Sequence, residues 1–230
     1  MSAPPLRASA AHVFVEDLAA PRLEASDRHH LERVLRLRRG AELTVSDGRG
    51  GLRSCRFGPV LEPLGEVVVE PAPQPPITVA FSLVKGDRPA WIVQKLTELG
   101  VDRMIPLVAA RSVVRWPPEK AAGHLERLHR VAREAAMQCR RTWLPVLEPT
   151  AAFAELAARS DACVADAWGG PPSLARPTVL VGPEGGWDDV ERHAPAPKIV
   201  LGAHVLRAET AAVTAAALLV AIRLGIVSEG

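Results

Sequence analysis

The sequence predicts an α/β protein in two parts: a small β-rich domain over residues 1–72 and an α/β domain with a mainly parallel sheet over residues 73–230. Residues 71–76 include four prolines, a composition that excludes a helix or a central strand and favours an extended spacer. Short apolar segments with alternating polar residues precede this spacer, whereas apolar strands alternate with helical segments after it. We therefore place the domain boundary at the spacer.

The first domain is expected to contain one short helix and several strands. Ser26 is expected to cap the helix, and Gly40 follows as its stop signal. The apolar stripe of this helix consists of Leu31, Val34 and Leu35. Strands are expected around residues 43–45, 52–57 and 66–69.

The second domain is expected to alternate strands and helices. Asp87 and Pro89 begin a helix that Gly100 ends. Buried strands are expected over residues 77–84, 104–108, 162–165, 178–181 and 199–201. Further helices are expected around residues 118–139, 151–158 and 209–224. This order predicts a mainly parallel sheet.

Composition disfavours export, a membrane span and a metal site. Residues 1–18 lack the apolar run of a secretory signal, so we expect a cytoplasmic protein. The most apolar segment, residues 211–222, is shorter than the roughly 20 residues that span a bilayer. The three cysteines are far apart, and neither a CxxC pair nor an HExxH motif occurs, so we expect reduced thiols and no metal.

Positive charge is concentrated in the middle of the chain. The net charge of +2 is small, but residues 75–145 hold 12 basic and 6 acidic side chains. Candidate RNA contacts in this segment are Lys85, Arg88, Arg111, Gln138 and Arg141. In the first domain, Arg33 and Arg36 belong to an arginine- and histidine-rich helix that can follow an RNA backbone. A solvated helix face is the alternative for both groups.

Two glycine-containing loops follow predicted strands of the second domain. The first is Gly182-Pro183-Glu184-Gly185-Gly186, and the second runs from Leu201-Gly202 to Ala211. Ligands bind at the carboxyl ends of strands in open α/β sheets, where glycine lets a ligand approach the backbone. We expect a side chain at Gly185 or Gly202 to fill ligand space or to cause strain at a positive φ. A tight βα turn and a salt-bridged helix cap are the alternatives.

Seven sequence blocks, in this order, resemble the bacterial 16S rRNA (uracil-N3)-methyltransferase family of the SPOUT superfamily. The blocks are His30-Leu31 with Val34-Leu35-Arg36 and Gly40; Lys85-Gly86-Asp87-Arg88; Lys95 with Thr97-Glu98-Leu99-Gly100-Val101; Arg111-Ser112; Glu134-Ala135 with Gln138-Cys139 and Arg141; Gly182 to Gly186; and Leu201-Gly202 with Leu206-Arg207 and Glu209-Thr210-Ala211.

The resemblance implies a PUA-like β-barrel domain for RNA, a SPOUT domain with a C-terminal trefoil knot, and a homodimer. It also implies S-adenosylmethionine as methyl donor and a uridine of 16S rRNA in the small ribosomal subunit as acceptor. The expected donor-binding residues are Leu180, Gly182, Pro183, Glu184, Gly185, Gly186, Leu201, Gly202, Val205, Leu206, Arg207 and Thr210.

Methylation at N3 requires loss of the imide proton of uracil. Arg207 is the candidate cation that stabilises the developing negative charge, and Glu209 or Glu184 is the candidate proton acceptor. Met137, Arg140, Ala203 and His204 depart from the family pattern and affect expected RNA contacts more than the donor pocket. The alternatives are a non-catalytic RNA-binding or assembly protein of this fold, and a SPOUT enzyme for tRNA or another rRNA nucleotide.

Overall fold

The computed structural model describes residues 9–228, and the chain divides into two compact units. The first unit comprises Met1–Ala72 and Arg133–Leu144, and the second comprises Pro73–Ala132 and Pro145–Gly230. Residues 1–8 lie outside the described residues. They belong to the expected first domain and to the segment that lacks the pattern of a secretory signal. The sequence gives no sign that Arg133–Leu144 groups with the first unit.

The first unit contains a four-stranded sheet with the order β1-β2-β3-β4. The strands are β1 (His12–Phe14), β2 (Glu42–Ser46), β3 (Gly51–Arg56) and β4 (Glu62–Val69). Strands β1 and β2 are parallel, and the other two pairs are antiparallel. Within residues 9–228, no strand pairing joins β4 to β1, so closure of the sheet into a barrel stays a prediction.

The helix of the first unit differs from the one expected. Helix α1 (Ala25–His29) begins after Glu24, so the expected Ser26 cap is wrong, and a π-helical turn (His30–Val34) continues it. A π-helix places more residues in each turn than an α-helix does, which rotates later side chains away from the buried face. Leu31 is accordingly buried, whereas Val34 and Leu35 of the expected apolar stripe are 62% and 49% exposed.

The segment Arg133–Leu144 is fixed to the first unit by ion pairs and hydrogen bonds. Arg133 lies 2.6 Å from the carboxylate of the buried Asp27 and above the ring of Phe14. His12 is also buried, and its ring nitrogens lie 2.8 Å from Thr44 Oγ1 and 3.1 Å from the carbonyl oxygen of Arg141. The contacts of Arg133 with Asp27 and of His12 with Arg141 join residues 106 and 129 positions apart in sequence.

The second unit contains a seven-stranded sheet in which every pairing is parallel. The path is β11-β9-β10-β5-β6-β7, and β8 also pairs with β6. The strands are β5 (Thr78–Ser82), β6 (Arg103–Val108), β7 (Val146–Leu147), β8 (Ala151–Ala152), β9 (Ala162–Gly170), β10 (Thr178–Val181) and β11 (Lys198–Ile199). The helices are α2 (Arg88–Leu99), α4 (Phe153–Ala157), α5 (Asp189–Arg192) and α6 (Ala208–Arg223), together with α3 (Pro118–Cys139), whose residues from Arg133 onward belong to the first unit. The mainly parallel sheet expected from the sequence is confirmed.

Both faces of this sheet are buried. Phe81 packs with side chains of α2 and α6 on one face, whereas the adjacent Ala80 packs with Leu180 and Trp187 on the other. Alternation along the strand places neighbouring side chains on opposite faces. Continuous apolar strands covered by helices on both sides are typical of parallel sheets.

The ends of α2 and α6 are fixed at the amino ends of the strands. Gly100 ends α2 in the left-handed conformation with φ of +100°, as its stop signal predicts. Arg223, in the last turn of α6, bonds the Asp102 carboxylate and donates to the carbonyl oxygen of Gly100 at 2.8 Å. No helix within residues 9–228 is long and apolar enough to cross a bilayer.

We predict that His12 makes folding stability depend on pH. Burial lowers the pKa of His12 from 6.5 to about 4, and the positive charge of Arg140 adds to this, against the opposing hydrogen bond to Arg141. Below pH 6.5 the unfolded chain binds a proton that the folded chain does not, so stability falls between pH 6.5 and 4. The loss from this residue is on the order of 3 kcal/mol.

Denaturant unfolding at several pH values measures this effect. His12→Gln removes the titrating group and should flatten the stability curve between pH 4 and 6.5, whereas His29→Gln, at an exposed position, should leave its slope unchanged. An unchanged pH slope in His12→Gln would contradict the prediction.

Candidate functional site

A cavity of about 310 Å³ lies at the carboxyl ends of β9, β10 and β11 in the second unit. Parallel pairing places the loops after these strands at the same edge of the sheet. Its lining residues are Ala165, Asp166, Ala167, Val181, Gly182, Pro183, Glu184, Gly186, Trp187, Arg192, Val200, Leu201, Gly202, His204, Val205, Leu206, Ala208 and Ala211. Both glycine-containing loops therefore form its wall.

The loop from Gly182 to Gly186 is a tight turn that packs against Trp187. Gly186 has φ of +68°, and its amide donates to the carbonyl oxygen of Pro183 at 2.9 Å. The buried Trp187 indole donates to the carbonyl oxygen of Ala165 at 2.9 Å. A β-carbon at Gly182 would lie 2.9 Å from the Trp187 ring, so close approach to the indole requires glycine here.

A capping box fixes the chain that leaves this loop. Asp188 caps α5 by accepting from the Glu191 amide at 2.7 Å, and Glu191 accepts from the Asp188 amide at 3.0 Å. The other oxygen of Glu191 accepts from the Ala110 amide at 2.7 Å. The loop after β10 is thereby joined to the loop after β6.

The second wall is the loop between β11 and α6. Val205 is 98% exposed there, although its side chain is apolar. A β-carbon at Gly202 would meet no atom within 4 Å, so the space in front of this glycine is open. Arg207 precedes α6 with an extended backbone, and no hydrogen bond or ion pair of its side chain occurs within residues 9–228.

Eight expected donor-binding residues line the cavity: Gly182, Pro183, Glu184, Gly186, Leu201, Gly202, Val205 and Leu206. Leu180 instead packs into the core of the sheet, and a β-carbon at Gly185 would face Arg111 at 3.4 Å. Arg207 and Thr210 are exposed and lie outside the lining. The expected positive φ at Gly185 or Gly202 is wrong: in these two loops it occurs at Gly186, where the chain turns.

The sequence does not predict that β9 contributes a wall of the cavity. The strand was expected to end at residue 165 because Asp166 interrupts its apolar run, but it continues to Gly170. Asp166 and Ala167 consequently line the cavity, together with Arg192 and His204. The sequence signal for Asp166 and Ala167 is their position directly after the apolar run at residues 162–165.

One arginine joins the two loops. Nη1 of Arg88, the first residue of α2, lies 2.9 Å from Glu184 Oε1 and 3.3 Å from Glu209 Oε2. Partial desolvation lowers the pKa of Arg88, but hydrogen bonds to Glu209 and Glu184 outweigh this effect and raise it above its ordinary value. Both candidate proton acceptors are therefore bound to the same guanidinium.

The expected RNA contacts divide between the two units. Arg111 donates to the Gly185 carbonyl oxygen at 3.1 Å, and the Lys85 carbonyl accepts from Arg88 Nε at 3.2 Å, both in the second unit. Arg33, Arg36, Gln138 and Arg141 belong to the first unit. Arg33, Arg36 and Gln138 are exposed, whereas Arg141 is half-buried and donates to the carbonyl oxygen of Trp143 at 3.1 Å.

Burial keeps two of the three thiols protonated near neutral pH. Cys55, Cys139 and Cys163 form no disulfide, and burial raises the pKa of Cys55 to about 11 and that of Cys163 to about 12. Within residues 9–228, no group of three or more His, Cys, Asp or Glu side chains has a geometry that could hold a metal ion.

Two known protein families match the chain. Residues 70–220 match the RNA methyltransferase domain family, and residues 23–58 match the RNA methyltransferase PUA domain family. The PUA-like domain expected from the sequence is thus confirmed.

Two curated relatives are similar over most of their length. The ribosomal RNA small subunit methyltransferase E of Synechocystis is 32% identical over 85% of this chain and 71% of its own. The protein of that name from Bacillus subtilis is 30% identical over 86% of this chain and 88% of its own.

Solved structures share the fold. A Legionella pneumophila methyltransferase, crystallised with bound S-adenosylmethionine, has a TM-score of 0.77 and 25% identity, covering 90% of this chain and 96% of its own. A ribosomal RNA small subunit methyltransferase E from Neisseria gonorrhoeae has a TM-score of 0.73 and 24% identity, covering 90% and 95%. These matches confirm the parallel-sheet α/β fold, and the SPOUT assignment and the trefoil knot stay predictions. The chain belongs to the RNA methyltransferase family that includes ribosomal RNA small subunit methyltransferase E.

Proposed function

We propose that this chain transfers a methyl group from S-adenosylmethionine to N3 of a uridine in 16S rRNA. The observation that carries the proposal is the cavity between two glycine-containing loops at one edge of a parallel sheet. The chain belongs to an RNA methyltransferase family, and a structural relative binds S-adenosylmethionine. The resemblance of the seven sequence blocks supports the choice of uridine N3.

The residues of the cavity fit the donor. Open space in front of Gly202 allows a ligand to approach the backbone, and Leu201, Val205 and Leu206 offer apolar surface for an adenine ring. Asp166, Arg192 and His204 line the same cavity and offer charged or polar partners for hydroxyl, ammonium and carboxylate groups. S-adenosylmethionine supplies a methyl group that is activated by a positively charged sulfur.

Arg207 and a glutamate are proposed to act on the uracil ring. The Arg207 guanidinium is exposed, so it is available to stabilise negative charge on O2 or O4 as N3 loses its proton. Glu209 is the proposed proton acceptor and Glu184 its alternative. Glu184 lines the cavity, whereas the Glu209 side chain is 13% exposed and both of its oxygens lie within 3.4 Å of Arg88.

The remaining roles follow from the resemblance and from the chemistry of base pairing. The N3 edge of uridine takes part in base pairing, so the target nucleotide must be unpaired or displaced. We assign RNA docking to the first unit and donor binding to the second. The resemblance also leads us to propose a cytoplasmic homodimer that modifies the assembled small subunit.

Transfer of labelled methyl groups tests the proposed reaction. We predict that the purified chain incorporates label from S-adenosylmethionine into 16S rRNA of small subunits lacking this modification. Nucleoside mass spectrometry should then identify N3-methyluridine at one position, because only the N3 atom is oriented for attack. Label on a ribose oxygen, on another base or in tRNA would contradict the proposed acceptor, and absence of transfer would favour a non-catalytic RNA-binding protein.

Removal of two charges tests the proposed RNA interface of the first unit. We predict that Arg33→Ala with Arg36→Ala weakens RNA binding and reduces the slope of log K against log salt by about 1.4, the value for two phosphate contacts on a single strand. Filter binding over a salt series measures both quantities.

The control removes the same charge from exposed positions elsewhere in the first unit, with Arg22→Ala and Arg56→Ala. It should keep the wild-type slope. A wild-type affinity and slope in the Arg33 and Arg36 variant would show that this helix is a solvated face.

A further inference from the structure

Arg88 connects two chain segments that lie far apart in sequence. Its Nη1 atom lies within 3.4 Å of one Glu184 oxygen and both Glu209 oxygens, while its Nε donates to the Lys85 carbonyl oxygen. The Lys85 contact fixes the base of the side chain, and the two carboxylates fix its end. The guanidinium is therefore held in one orientation by three acceptor residues.

The two carboxylates belong to different walls of the donor cavity. Glu184 lies in the loop after β10 and lines the cavity itself. Glu209 lies in the first turn of α6, between the lining residues Ala208 and Ala211. A guanidinium bound to both carboxylates limits the separation of the loop and the helix.

The same contacts make Arg88 a poor phosphate ligand. Two carboxylates surround one guanidinium, so this cluster of three side chains carries a net negative charge. A phosphate that approached Arg88 would have to displace a carboxylate or accept repulsion from it. The sequence-based expectation that Arg88 contacts RNA does not fit this arrangement.

We propose that Arg88 is a positioning residue of the methyl-donor site, which holds the Gly182–Gly186 loop and the start of α6 at the separation that the donor requires. This inference rests on the proposed function. A single exposed ion pair contributes little, but a bridge between two walls keeps the cavity in its binding form before the ligand arrives. Arg88 therefore contributes to donor affinity and not to RNA affinity.

Arg88→Gln tests the inference, with donor binding measured by calorimetry using S-adenosylmethionine alone. The variant should bind the donor about tenfold more weakly, since it loses the bridge and gains no contact. Arg88→Lys should restore part of this loss, because an ammonium group keeps a charge but not the planar fork. The salt dependence of RNA binding should equal that of the wild type.

The matched control is Arg127→Gln. Arg127 forms an exposed ion pair with Asp87, the neighbour of Arg88, at 2.7 Å, and both residues of this pair lie outside the cavity lining. Its loss removes the same charge from the same unit, and donor affinity should stay at the wild-type value. Near-ultraviolet circular dichroism of each variant reports whether the fold is kept.

A double-mutant cycle separates positioning from general loss of structure. Arg88→Gln and Glu184→Gln should each weaken donor binding. Because both substitutions remove the same bridge, the double variant should lose no more donor affinity than the more impaired single variant. In steady-state assays, Arg88→Gln should raise KM for the donor at saturating RNA and leave KM for RNA unchanged at saturating donor.

Three results would overturn the inference. Wild-type donor affinity in Arg88→Gln with a reduced RNA salt slope would make Arg88 a phosphate contact, and wild-type values of both would make it a solvated ion pair. Additive losses in the cycle would mean that Arg88 and Glu184 act separately. Absence of donor binding in the wild-type chain would instead contradict the proposed function.

Discussion

Parallel pairing of β9, β10 and β11 obliges the loops that follow these strands to leave the sheet at one edge. Residues separated by about 20 positions along the chain therefore meet around a single cavity. At the amino ends of the strands, Arg223 bonds the Asp102 carboxylate and the Gly100 carbonyl oxygen, and these contacts fix the helices to the sheet. Every proposed donor contact depends on this strand order.

Glycine serves different purposes at neighbouring positions of the cavity wall. Gly182 has no room for a side chain because Trp187 packs against it, and Gly186 has a positive φ that allows the turn to close. Gly202 has neither constraint, since its backbone is not left-handed and the space in front of it is open. A structural requirement thus explains the first two glycines, whereas access for a ligand explains the third.

Local patterns predicted those elements whose formation depends on neighbouring residues. The strand at Thr178–Val181 and the helix at Pro118–Cys139 have the bounds that the sequence predicts, because apolar periodicity and flanking Gly or Pro residues determine both. The π-helical turn at His30–Val34 was missed, since no composition signal distinguishes it from an α-helix. The continuation of β9 beyond residue 165 depends on pairing with β11, a contact that sequence order does not reveal.

The site could be predicted only in part for the same reason. The glycine-containing loops are contiguous in sequence, so the resemblance located most of their lining residues. The partners of Arg88 lie 96 and 121 residues away, and their proximity follows from the fold alone. The sequence therefore favours an RNA contact for Arg88, because this arginine lies in a basic segment. The structure instead supports a bridge from Arg88 to two carboxylates.

We propose that the cavity between the two loops binds S-adenosylmethionine. Isothermal calorimetry of the Gly202→Val variant measures the donor affinity on which this proposal depends. A valine side chain would occupy the open space in front of Gly202 without a backbone clash. Gly123→Val provides the control, because this glycine is exposed on α3 and has equally open surroundings. We expect wild-type donor affinity for Gly123→Val and no measurable binding for Gly202→Val. Equal affinity in both variants would contradict donor binding in this cavity.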